Sequence, residues 1–180
     1  MQSIQLERRD FLGALAGILG VSMVPAAALA ASPQAVLPKS QTALIAAVAE
    51  TYIPRTDTPG AADVGLPALF AAMLAKWAAP ATRTAFLARL DGIDAAARAG
   101  NGKPFAKLSA KDRLAVLTAY DAANFAAPDY KRMRDLFIIL YYNSEPGATV
   151  ELRYEHAPGT FEPSLPLTPQ TRAWAGMSFF

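Results

Sequence analysis

The chain contains no cysteine and only one histidine, His156, in 180 residues. Without thiols it can form no disulfide, no thiolate zinc site, no iron–sulfur cluster and no CxxCH-attached haem. A lipoprotein anchor, which needs a cysteine, is closed off too. One histidine leaves any multi-histidine metal cage short of ligands. Charge is also scarce, at 18% of residues with a formal net charge of +2. No broad basic field is available to gather phosphates or anionic lipid, so nucleic acid is not an expected partner. Strand-period alternation, a GxGxxG turn and internal repeats are missing as well, which leaves a nucleotide-binding sheet unsupported. Any electrons that pass nearby are carried by another polypeptide.

What is present is apolar and small. Hydrophobic residues make up 53% of the chain, many of them alanine, which lets helices pack closely but buries little area per residue. The length suits one domain. Helical spacing predicts an all-α fold, a small helical bundle with an irregular, proline-rich C-terminal tail. A first helix is expected over Ser40–Ile53, with Leu44, Ile45, Val48 and Tyr52 on one face and Pro54 as its stop. The turn formers of Pro54–Gly65 read as a loop. Leu66–Ala79 then places Leu66, Leu69, Phe70, Met73, Leu74 and Trp77 on one face, with Trp77 in the core. Pro80 opens a helix that buries Phe86, Leu87, Leu90 and Ile93, keeps Arg83, Arg89, Asp94 and Arg98 wet, and ends at Gly100. Ser109 and Asp112 resemble a capping box ahead of Leu114, Leu117 and Tyr120. Pro128 and Asp129 open the last long helix, whose segment Leu136–Tyr142 is apolar all round and so expected at the centre of the bundle. One short helix is expected around Thr149–Tyr154.

The first 30 residues have the layout of a secretory signal peptide. Arg8 and Arg9, followed by Phe11 and Leu12, resemble the twin-arginine signature. An apolar run from Gly13 to Val24, then Pro25 and AAALAA, supplies the core and a small-residue cleavage site, expected after Ala30 or Ala28. The mature domain is then 31–180. The alternative is an uncleaved anchor, because Leu12–Ala31 has about the roughly 20 residues that a spanning helix needs. Gly13, Gly17, Gly20, Ser22 and Pro25 weaken that span.

Glu145, Glu151, Glu155 and His156 are the clustered titratable groups in which an acid/base site would be sought first. Glu151 and Glu155 are four apart and would share one helical face. The plainer reading is surface ion pairing with Arg153. His156 has neither a nucleophile elbow nor a second histidine to support it. The terminal run TRAWAGMSFF places Trp174, Met177, Phe179 and Phe180 where a chain end usually needs something to dock against, either a partner or its own bundle.

The segment YYNSEPGATVELRYEHAPGTFEPSLPL resembles the motif region of the gluconate 2-dehydrogenase subunit 3 family. AETYIPRTDTPGAADVGLPALF, residues 49–70, is similar to that family's first helix and following loop. The resemblance implies a small, or γ, subunit that binds no cofactor and partners an FAD-dependent large subunit of the glucose–methanol–choline oxidoreductase type, often beside a cytochrome c subunit that holds the haem. It also implies periplasmic residence, export through the Tat translocase, and a leader that carries the signal-less flavoprotein across. By position, Ser144, Glu145, Gly147, Ala148, Leu152, Arg153, Tyr154, Pro158, Gly159 and Phe161 are expected to shape the docking surface, joined by Trp174. Some relatives have a cysteine where this chain has Ser164, so an intersubunit disulfide there is impossible. Two other readings stand beside this one, a free-standing periplasmic binding module or chaperone, and an enzyme built on Glu145, Glu151 or His156.

Overall fold

The computed structural model describes residues 37–156, 159, 164 and 166–175. The signal residues Arg8, Arg9, Phe11 and Leu12, the cleavage site and the alternative anchor Leu12–Ala31 lie outside them. So do Pro158, Phe161, Met177, Phe179 and Phe180. No helix among the described residues is long and apolar enough to cross a membrane.

Five α-helices follow in order: α1 Lys39–Tyr52, α2 Leu66–Lys76, α3 Pro80–Asn101, α4 Ala110–Asn124 and α5 Pro128–Tyr142. A 3₁₀ turn, Phe105–Lys107, precedes α4, and a single π turn, Gly147–Glu151, follows α5. The chain is therefore all-α as expected, with no strand among the described residues beyond one isolated pairing of Arg153 with Trp174.

Local chemistry sets the helix ends. Gly65, at φ 68°, makes the left-handed entry to α2, and Pro67 fits the first turn where its missing N–H costs nothing. Gly102, at φ 66°, stops α3 and donates its N–H to Arg98 O at 2.9 Å. The stop lies two residues beyond Gly100, because the NGKP turn itself supplies the left-handed residue. Ser109 Oγ accepts the Asp112 N–H at 3.2 Å, the N-cap half of the expected capping box, but the Asp112 carboxylate accepts the Ser109 hydroxyl at 2.7 Å and not the Ser109 backbone N–H, so the reciprocal half is not formed.

The core gathers one stripe from each helix. Leu44, Ile45 and Val48 of α1 meet Leu66, Phe70 and Leu74 of α2, Phe86, Leu90 and Ile93 of α3, Leu117 of α4, and Tyr130, Met133, Phe137 and Tyr141 of α5. Phe70 is its hub, stacked on Phe137 at 4.1 Å between ring centroids, with Phe86 at 6.4 Å.

Three expectations need correction. Trp77 is 82% exposed and Leu69 47%. Helix α2 ends at Lys76, so Trp77 falls beyond the last helical residue and off the buried stripe. The Leu136–Tyr142 run is not central all round: Phe137 and Tyr141 are buried while Ile138 and Ile139 remain exposed, because α5 packs on one side only. Arg83 and Arg89 are not simply wet. Arg83 donates to the Leu74 and Ala75 carbonyls at 2.6 and 2.8 Å, satisfying orphan acceptors at the end of α2. Arg89 forks onto Asp129 at 2.7 and 2.9 Å and reaches Asn124 at 2.9 Å, tying α3 to α4 and α5.

Candidate functional site

The α1–α2 loop is short of side-chain bulk but dense in hydrogen bonds. Ala61 N–H returns to Ile53 O at 2.9 Å. Asp63 accepts from the Gly60 N–H and Arg55 Nε, each at 2.8 Å, and from a second Arg55 nitrogen. The Arg55 guanidinium holds the Asp63 carboxyl below its ordinary range. A Cβ at residue 60 would stand 2.6 Å from Arg55 N, so the loop closes this tightly only with glycine. Tyr141, near the end of α5, donates its hydroxyl to Pro59 O at 2.6 Å and locks the loop to that helix end.

Ser144 and Gly147 then fold the chain beyond α5. Ser144 Oγ donates to Tyr141 O at 2.6 Å and accepts the Gly147 N–H at 3.1 Å. A Cβ on Gly147 would lie 2.1 Å from Tyr141 O, so only glycine lets the backbone pass there. The π turn closes through Leu152 N–H to Gly147 O at 3.1 Å, and the chain becomes extended after it.

A strap, residues 166–175, returns over this region. Arg153 N–H donates to Ala173 O at 2.7 Å, and Ala175 N–H to Arg153 O at 2.9 Å. The Arg153 guanidinium sits 4.2 Å above the Trp174 ring while pairing with Glu155 at 3.4 Å. Arg172 reaches the loop and pairs with Asp57 at 3.0 Å, which draws the Asp57 pKa down. Loop, α5 end, π turn and strap thus share one face. A crevice of about 300 Å³, lined by Pro54, Thr56, Thr58, Ile138, Tyr142 and Glu151 among others, lies where loop and α5 meet. A groove of about 790 Å³ runs between the π turn and the strap.

The residues proposed from sequence divide here into two kinds. Glu145, Arg153, Tyr154, Gly159 and Trp174 are exposed. Ser144 and Gly147 are not on the surface in that sense; Gly147 is buried and the Ser144 hydroxyl is spent within the chain, so both set the backbone path. Glu151 and Glu155 do not share a helical face, because the π turn ends at Glu151 and the expected helix through Tyr154 is absent. His156 Nδ1 meets the Tyr154 hydroxyl at 3.2 Å on the exposed side. Among the described residues no three His, Asp or Glu side chains cluster to hold a metal, and no buried side-chain polar atom lacks a partner. Sequence reading missed the Tyr141–Pro59 bond and the Asp57–Arg172 pair. Their separations of 82 and 115 residues leave no local signal.

A family model described as gluconate 2-dehydrogenase subunit 3 matches residues 39–159. The chain belongs to this family. The match covers two thirds of the chain and includes residues 49–70, the helices that follow, and residues 141–159 of the second segment whose resemblance suggested it. Its end at Gly159 leaves the strap of this subunit 3 family member outside the matched region. Comparison with curated proteins and with solved structures returns no match.

Proposed function

We propose that this chain is the non-catalytic small subunit of a periplasmic, FAD-dependent sugar or sugar-acid dehydrogenase. It binds the folded flavoprotein in the cytoplasm, lends it the Arg8–Arg9 signal for the Tat translocase, and stays as a structural subunit after export. Oxidation of the sugar or sugar acid takes place in the flavoprotein, with electrons leaving for a cytochrome c subunit where one is present. This chain contributes no reacting atom.

One observation carries the reading. Residues 49–70 and residues 141–156, both within segments that resemble the family, are far apart in sequence yet meet through Tyr141–Pro59, and the strap joins the same face through Arg172 and Asp57. That face presents aromatic and arginine side chains, the types that dominate binding energy in protein interfaces. With Ser164 in place of a cysteine, association rests on buried apolar area and hydrogen bonds, on the order of 2,000 Å² for a stable complex.

Replacing Arg8 and Arg9 together by lysine is expected to leave both this chain and the flavoprotein in the cytoplasmic fraction. Flavoprotein reaching the periplasm at its normal level in that mutant overturns the escort role. Purified alone, the mature chain is expected to be colourless and to oxidise no sugar. Turnover by the isolated chain would point instead to an enzyme built around Glu151 and the crevice it lines.

A further inference from the structure

We infer that the strap offers an open backbone edge at Arg172–Ala175, to which an extended, uncharged segment of the flavoprotein adds as a strand; this rests on the reading of the chain as that flavoprotein's subunit. The argument starts from the direction of the peptide groups. In a parallel pairing, one residue of the first strand bonds to the two residues that flank its opposite number. Arg153 does this with Ala173 and Ala175. Alternation along an extended chain then turns the N–H and C=O of Trp174 to the opposite side, together with the N–H of Arg172. Among the described residues none of these three groups has a hydrogen-bond partner, and Arg172, Ala173 and Trp174 are exposed.

Exposed edges are commonly blunted by proline or by free charge. From Gln170 to Ala175 there is no proline, and the one charge, on Arg172, is taken up by Asp57. A row of alternating donors and acceptors is matched by another extended backbone, which is the chemistry of strand addition. The neighbouring guanidiniums also narrow the partner: Arg153 is engaged with Glu155 and the Trp174 ring, and Arg172 with Asp57. A carboxylate on the incoming segment would have to break a pair that already exists, so neutral side chains fit better. Since Arg153 already holds the Trp174 ring, little further ordering is needed on this side.

The test is hydrogen–deuterium exchange on the free mature chain and on its purified complex with the flavoprotein. In the free chain the amides of Arg153 and Ala175 are expected to exchange slowly relative to that of Trp174. In the complex the Trp174 amide becomes protected as well. Two variants separate ring from backbone. W174A removes only the ring, while W174P also removes the outward N–H, and W174P is expected to bind the flavoprotein about tenfold more weakly than W174A. Equal affinities, or a Trp174 amide left unprotected in an intact complex, overturn the strand addition while leaving the subunit reading in place. Protection of that amide in the chain alone, with dimerisation, assigns the edge to a second copy and also overturns it. Failure to isolate any complex with a flavoprotein overturns both.

Discussion

The Tyr141 hydroxyl donates to Pro59 O at 2.6 Å, and through this bond the end of α5 holds the loop between α1 and α2. Tyr141 is buried, and burial pushes its pKa up, so the hydroxyl remains a donor across the physiological range. Tyr141→Phe keeps the ring packing and removes only this bond. It is expected to cost about 1 kcal/mol in urea unfolding. Tyr142→Phe serves as the control, because its hydroxyl makes no hydrogen bond among the described residues; it should shift stability by less than about 0.5 kcal/mol. Equal effects from the two would mean that the loop is not held through Tyr141.

Gly147 and Gly100 make a second contrast. At Gly147 the nearest atoms to an added Cβ belong to the Tyr141 carbonyl, so no rotamer change relieves the clash. Gly147→Ala is expected to destabilise by about 3 kcal/mol, near the upper end for overpacking, and to weaken flavoprotein binding by displacing the π turn. Gly100 lies inside α3 with no atom within 4 Å of such a Cβ. Gly100→Ala should therefore stabilise by about 0.5–1 kcal/mol through helix propensity alone. Thermal unfolding of both variants checks the opposite signs.

The sequence made the helices legible because their signals are local. Pro80 and Pro128 open helices, Ser109 caps another, and the Phe86, Leu90, Ile93 stripe repeats at helical spacing. Trp77 was misread because periodicity says which face a residue would take if the helix continued, not where the helix stops. The exposure of Ile138 and Ile139 was hidden for a related reason, since an apolar run does not reveal how many sides find neighbours. The docking face was half legible. Its residues could be named, but Ser144 and Gly147 turned out to shape the backbone from within. The bonds that assemble it join groups 82 and 115 residues apart, a separation that only the fold closes.

The corrected place of Trp77 has its own consequence. An indole 82% exposed forms one wall of a groove of about 440 Å³ with Met73, Phe86, Leu136 and Ile139, and supports little of the core. Trp77→Ser is expected to leave stability within about 0.5 kcal/mol of the parent chain. Phe70→Ala, which empties the ring stacked on Phe137, should cost about 3–5 kcal/mol. A large loss from Trp77→Ser would return that side chain to the core.

The hydroxyls of Tyr52, half-buried, and Tyr130, buried, lie 2.5 Å apart and tie α1 to α5. Burial pushes the Tyr52 pKa up to about 12, and burial likewise raises that of Tyr130. In the unfolded chain both ionise near pH 10. The sign follows from proton uptake. Below about pH 10 both states hold the protons and stability is flat from this source; above it the unfolded state loses them first, so stability falls as pH rises toward 12. The urea midpoint is therefore expected to hold level from about pH 7 to 9 and then to decline. Tyr52→Phe should lower the plateau by about 1 kcal/mol through the lost bond, and flatten the alkaline decline because one buried ionisation is gone. An alkaline limb of unchanged steepness in Tyr52→Phe would show that other groups set it.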